Sequence, residues 1–170
     1  MAKKIFRPEI NYEADTIMIG ISCHLKDYRL VHYLNKNYHL NLIRFDDLEV
    51  LKEYDKETEK YLPQKFPFYY YLSEEDYIAY NFIINFSDDG RLLNEQKTLD
   101  YVLIINGAID NYDTKPIIDC LKQIPNVLTV VELKTETLKN LRLIFEDMEV
   151  HILEHYRRLK EEEQNKKLKD

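Results

Sequence analysis

Glycine is scarce: the chain has three glycines in 170 residues. Neither G-x-G-x-x-G nor G-x-x-x-x-G-K can be built from Gly20, Gly90 and Gly107, so no glycine-rich loop cradles a phosphate. The same scarcity excludes collagen-like and flexible-linker readings. Tryptophan is absent, and cysteine is limited to Cys23 and Cys120. They show no C-x-x-C spacing and no histidine at zinc-finger distance. Two isolated thiols read as buried apolar groups in a reducing compartment, so the expected location is cytoplasmic. The longest apolar run, around Tyr101 to Ile109, is far too short for a bilayer, and no membrane partner is expected. The basic start at Lys3 and Lys4 is not followed by an apolar stretch, so it does not read as a secretion signal. Positive charge is also short. Lys and Arg total 24 against 31 Asp and Glu, a net charge of -7. Phosphate backbones and anionic membrane surfaces are repelled at that charge, and nucleic acid is not an expected partner.

What is present is enough for one domain. The length suits a single core, and 45% hydrophobic residues can fill it. Residues 15–23 alternate, with Ile17, Ile19, Ile21 and Cys23 on one face, and read as a strand. Asp27 to Tyr38 reads as a helix with an acidic first turn. Residues 40–45 read as a short strand. The charged stretch 46–65 reads as a solvated connection with at most a frayed helical turn. Residues 68–72 and 77–86 read as a hairpin joined by a polar turn, with Ile78, Tyr80, Phe82, Ile84 and Phe86 on one face and Tyr77, Ala79, Asn81, Ile83 and Asn85 on the other, one face packed on a core and one meeting water. Arg91 to Glu95 reads as the start of another extended segment. Residues 99–106 are apolar on both faces and mark a central strand. Asp113 or Thr114 then caps a helix with Pro116 in its first turn, and Val127 to Leu133 forms the next strand. Strand, helix and strand in that order make a crossover unit. The last helix follows a cap at Thr135, with Leu138, Leu141, Phe145, Met148, Ile152, Tyr156 and Leu159 along one stripe. Residues 160–170 read as polar and frayed.

Three segments carry a family likeness. Leu93 to Tyr101 (LNEQKTLDY) resembles the signature of the bacterial IPExxxVDY family: Glu95, Asp100 and Tyr101 match, and Asn94 replaces its proline. Leu25-Lys26-Asp27-Tyr28-Arg29-Leu30, with Leu34-Asn35-Lys36, is similar to an early stretch of that family. Ile124-Pro125-Asn126-Val127-Leu128-Thr129 is similar to a later one. The likeness spans about residues 15 to 133. It implies a small bacterial cytosolic protein and brings no assigned activity, cofactor or catalytic residue.

Candidate groups follow from residue type and position. Asp27, Tyr28 and Arg29 at a strand-to-helix junction suit an anion or small ligand. Glu95, Asp100 and Tyr101 flank the central strand and form a second candidate binding group. His151-Ile152-Leu153-Glu154-His155 matches H-x-x-E-H, whose two histidines lie one turn apart. Too little chain follows to supply the usual downstream ligand, so no metal is assigned to His151 and His155. Of fourteen tyrosines, five (Tyr69, Tyr70, Tyr71, Tyr77 and Tyr80) fall on the proposed hairpin. Tyr69, Tyr71 and Tyr77 are the candidate interface residues, since aromatics are enriched in partner surfaces.

The expected architecture is α+β: one two-layer domain with a mixed, mainly antiparallel sheet of about five strands and helices on one face. A ferredoxin-like or ACT-like arrangement is its analogue. Residues 1–150 form the domain, and 151–170 extend the C-terminal helix into a polar tail. The expected function is a non-catalytic interaction or regulatory module whose partner is a second copy or another protein. The alternative is a small-molecule binder or small enzyme centred on Glu95, Asp100, Tyr101 and Arg29. No cofactor is implied.

Overall fold

Alternation along the first strand sets the architecture. In β1 (Thr16–Cys23), Ile19, Ile21 and Cys23 are buried on one face and Met18 on the other. A strand covered on both faces belongs inside a sheet. The computed structural model describes residues 15–88, 90–107 and 109–169. The Lys3–Lys4 pair lies outside them.

After β1 come α1 (Asp27–Asn37), β2 (Ile43–Arg44), β3 (Leu48–Asp55), β4 (Lys60–Phe66), β5 (Phe68–Ser73) and β6 (Ile78–Ile84). Then follow β7 (Phe86–Ser87), β8 (Gly90–Arg91), β9 (Tyr101–Gly107), α2 (Lys115–Gln123), β10 (Val127–Leu133) and α3 (Leu141–Lys167). The main sheet has six strands in the order β10-β1-β9-β6-β5-β2, and every neighbouring pair is antiparallel. Four consecutive strands of that order, β10-β1-β9-β6, with α1 after β1 and α2 between β9 and β10, carry the ferredoxin-like β-α-β-β-α-β order. Strands β2 to β5 are inserted between α1 and β6. Because β9 and β10 both run antiparallel to β1, they are parallel to each other, and α2 is the crossover that strand-helix-strand spacing predicts.

Both faces of the sheet are covered. On one, Leu30 and Leu34 of α1 and Ile117 and Leu121 of α2 pack over Ile19, Phe82, Leu103 and Ile105. On the other, Ile144, Phe145 and Met148 of α3 join Leu48, Val50 and Phe66 over Met18, Ile83, Val102 and Ile104. The chain is thus a single α+β domain with a long C-terminal helix. It has one more layer than two, because β1 and β9 are apolar on both faces and each face needs cover.

Residues 46–65 are not a solvated connection; they hold the β3–β4 hairpin. Leu48, Val50 and Phe66 are buried, while Glu49 and Lys65 stand opposite each other on the wet face, 3.4 Å apart. The dense charge of the outer face hides the period of two. Arg91 to Glu95 does not continue as a strand either. Only Gly90–Arg91 pairs, with Phe86–Ser87. Thr135 opens a short 3-10 turn (Thr135–Thr137) rather than capping α3, which starts after the left-handed Asn140 (φ 59°). Residues 160–167 are helical rather than frayed. At α2, the Asp113 carboxylate accepts from the Lys115 N–H at 3.0 Å, while the Thr114 hydroxyl donates to Glu132.

Candidate functional site

Three loops meet at one end of the first core: the end of α1, the β5–β6 turn and the connection from β9 to α2. Tyr71 and Tyr80 stand directly opposite each other in the β5–β6 ladder. Their rings stack at 6.0 Å with 20° between planes, which is the cross-strand contact such a pair makes. Gly107 ends β9 at φ +115°. A Cβ there would collide with the Tyr77 carbonyl, so only glycine lets β9 lie so close to the β5–β6 turn. The chain then folds back through a turn closed by Tyr112 N–H on the Ile109 carbonyl at 2.9 Å. That turn brings Tyr112 against Tyr80, edge to face at 6.4 Å.

The Tyr112 hydroxyl lies 3.3 Å from that of Tyr38 and 3.2 Å from that of Tyr80. Three hydroxyls carry three protons, and the two bonds among them use two. One O–H is left for a group outside the trio, whichever way the chain of bonds runs. Burial pushes the ionisation of Tyr112 far above that of a free phenol, and its bonds to Tyr38 and Tyr80 add to the rise. Burial likewise raises Tyr80. These phenols stay protonated at neutral pH, as donors and acceptors rather than bases.

Together these loops enclose an open basin of about 740 Å³, within the range of small-ligand sites. Tyr38, Tyr71, Tyr80 and Tyr112 wall it, and Asp76, Asp110 and Asp113 stand around it. His39 also lines it and sits at φ 56°, and Tyr77, beside Asp76, has the same φ. Left-handed conformations at bulky residues cost of order 1–3 kcal/mol and tend to cluster at functional loops.

The binding candidates read from sequence lie elsewhere. Asp27, Asp100 and Tyr101 gather around the β1–α1 turn, where each fixes the chain. The Asp27 carboxylate accepts from the buried Tyr69 hydroxyl at 2.9 Å. Asp100 accepts from the Cys23 N–H at 2.8 Å, and the Tyr101 hydroxyl donates to the Leu25 carbonyl at 2.5 Å. Burial, then the charges of Asp27 and Asp100, hold Tyr101 protonated. Tyr28, Arg29 and Glu95 are exposed and are not drawn into that cluster. The 92–100 loop winds around buried Asn85, whose amide donates to the Gln96 and Leu99 carbonyls and whose oxygen accepts from Leu93 N–H. Leu99 then sits where a Cβ on Gly20 would be, so this glycine makes room for the loop.

Among the interface candidates, Tyr69 is buried, Tyr71 is half-buried in the basin wall and Tyr77 is 75% exposed. His151 and His155 dock α3. The ring of His151 shares a hydrogen bond with the Asp46 carbonyl at 2.9 Å, and His155 stacks on Phe45 at 3.7 Å. Burial lowers the basicity of His155, and the Arg158 charge adds to this. Among the described residues, no three His, Cys, Asp or Glu side chains stand together as a metal-holding set. No helix among them is long and apolar enough to cross a membrane. Cys23 and Cys120 are free thiols, the first buried and the second half-buried.

Sequence reasoning missed Tyr38, Tyr112, Asp76, Asp110 and Asp113 as one group. They come from three separate loops, and no local spacing links them. Compared with protein-family models, with curated proteins and with solved structures, the chain matches none of them.

Proposed function

We propose that the chain is a non-catalytic binding module, a recognition or regulatory unit, with the tyrosine basin as its ligand-taking surface. The observation that carries this reading is the interlocked trio Tyr38–Tyr112–Tyr80 at the basin wall, with one O–H left to offer. A phenol acting as a base needs an ionisation brought down toward neutrality, and burial here drives it the other way. The cluster at Asp27, Asp100 and Tyr101 supports a structural role for those residues, since each is tied by a hydrogen bond to a backbone group or to Tyr69. We also propose membership of the IPExxxVDY family. The Leu93–Tyr101 segment has a physical task that fits a signature: it packs on Gly20 and ties β9 to the β1–α1 turn.

The test is a nitrogen-resolved NMR titration of the chain with small cationic, neutral and anionic fragments. Shifts confined to residues 38–40, 71–80 and 109–113 are the expected outcome. Shifts centred on Arg29, Glu95, Asp100 and Tyr101 would instead favour a ligand site there, and no shift anywhere would remove the binding reading.

A further inference from the structure

The basin is specialised in charge as well as shape. Asp76, Asp110 and Asp113 line it, and no lysine or arginine does so among the described residues. An anionic ligand would face three carboxylates without a lysine or arginine counter-charge, and like charges repel. A small hard metal ion is no better served. It needs oxygens converging within coordination distance, and these carboxylates do not form such a set. Carboxylates spread around a cavity suit a cation that is itself extended. The wall suits the same ligand. Tyr71 and Tyr80 are near parallel, while Tyr112 stands at 63° to Tyr80, so aromatic planes bound the space in two directions. Aromatic rings attract organic cations through their quadrupole, and phenol oxygens accept N–H bonds. Tyr80 keeps 6% of its surface exposed, which leaves Tyr38, Tyr71 and Tyr112 as the accessible part of the wall.

We propose that the basin binds an alkylammonium group: a protonated primary amine on a short apolar stem. Its N–H groups face the carboxylates and phenol oxygens, and its methylenes lie against the tyrosines. This rests on the basin being the ligand-taking surface. Such a group reaches a protein either on a free diamine or on a lysine side chain of another polypeptide, and the chemistry recognised is the same.

Isothermal titration of the full chain with diaminobutane, an N-acetyl-lysine methylamide, pentanol and butyrate tests it, with NMR reporting the location. Both amines should bind in the basin with dissociation constants on the order of 1 mM, since each exposed ion pair and each ring contact contributes modestly. Pentanol and butyrate should bind at least about tenfold more weakly. The combined change Asp76→Asn with Asp110→Asn should weaken amine binding about tenfold while the amide spectrum shows an intact fold. Stronger binding of diaminobutane would identify a free amine as the source, and stronger binding of the lysine mimic a peptide; both support the proposal. Pentanol or butyrate shifting the basin as strongly as the amines would overturn the proposal and leave the binding reading standing. Failure of all four compounds to shift the basin would overturn both. Amine binding unchanged in the Asp variant would also overturn the proposal, because the carboxylates would then play no part.

Discussion

Asn85 shows how one buried side chain places a whole loop. Its amide and oxygen make three hydrogen bonds to Leu93, Gln96 and Leu99, and its own backbone bonds Asp100 and Leu92. Asn85→Ala leaves those loop groups without partners and should cost about 2–4 kcal/mol. Glu95→Ala, on the exposed outside of the same loop, should stay within about 0.5 kcal/mol. Chemical denaturation of both variants checks the contrast, and equal losses would contradict it. The buried phenols set the response to alkali. Burial first, and the Asp27 hydrogen bond next, push Tyr69 from 10.0 up to about 12. Burial raises Tyr70 to about 12 as well. The folded state holds these protons more tightly than the unfolded chain. Their stabilising effect is complete below about pH 10 and is lost as pH rises toward about 12. Phenolate absorbance and circular dichroism should therefore change together across that window. Complete ionisation of all tyrosines near pH 10 with the fold intact would contradict this.

At the scale of elements, α3 behaves as two stretches of one helix. Ile144, Phe145 and Met148 are buried in the second core, while Leu143 and Val150 are about half exposed on other sides. Phe145→Ala should destabilise the chain by about 3–5 kcal/mol, and Leu143→Ala by no more than about 0.5 kcal/mol. Thermal or urea unfolding separates these outcomes, and a large loss at Leu143 would mean that α3 packs on a different face. Farther along, Arg158 pairs with Asp46 at 2.8 Å, an exposed contact of small value. Elements with a clear period were legible in the sequence. The β5–β6 hairpin, β9, α2 and β10 fall where their alternation and caps put them. The β3–β4 hairpin was not legible, because Glu49, Lys65 and their charged neighbours outweigh Leu48, Val50 and Phe66 in any local average. The end of α3 was missed for a related reason: a polar run lacking a core face says little about whether the helix continues.

Over the whole molecule, the inserted strands matter more than their number suggests. Strand β5 brings Tyr71 beside Tyr80, and the β9–α2 connection brings Tyr112 across to join them. The tyrosine count pointed to the β5–β6 hairpin, which supplies Tyr71 and Tyr80 to the basin wall, but not to the basin, since Tyr38 and Tyr112 lie in other loops and only tertiary packing unites them. His151, Glu154 and His155 illustrate the converse. Their spacing is that of a metal helix, yet His151 and His155 are occupied in docking α3 onto Phe45 and Asp46. A net charge of -7 favours the approach of cations over anions at low ionic strength. Binding at the basin should therefore weaken as salt rises. The most direct measurement is the set of intermolecular nuclear Overhauser effects between a bound diaminobutane and the protein. Contacts from its methylenes to the ring protons of Tyr38, Tyr71 or Tyr112 are the expected result. Contacts to any other part of the surface, with none to those three rings, would contradict the assignment of the basin as the binding site.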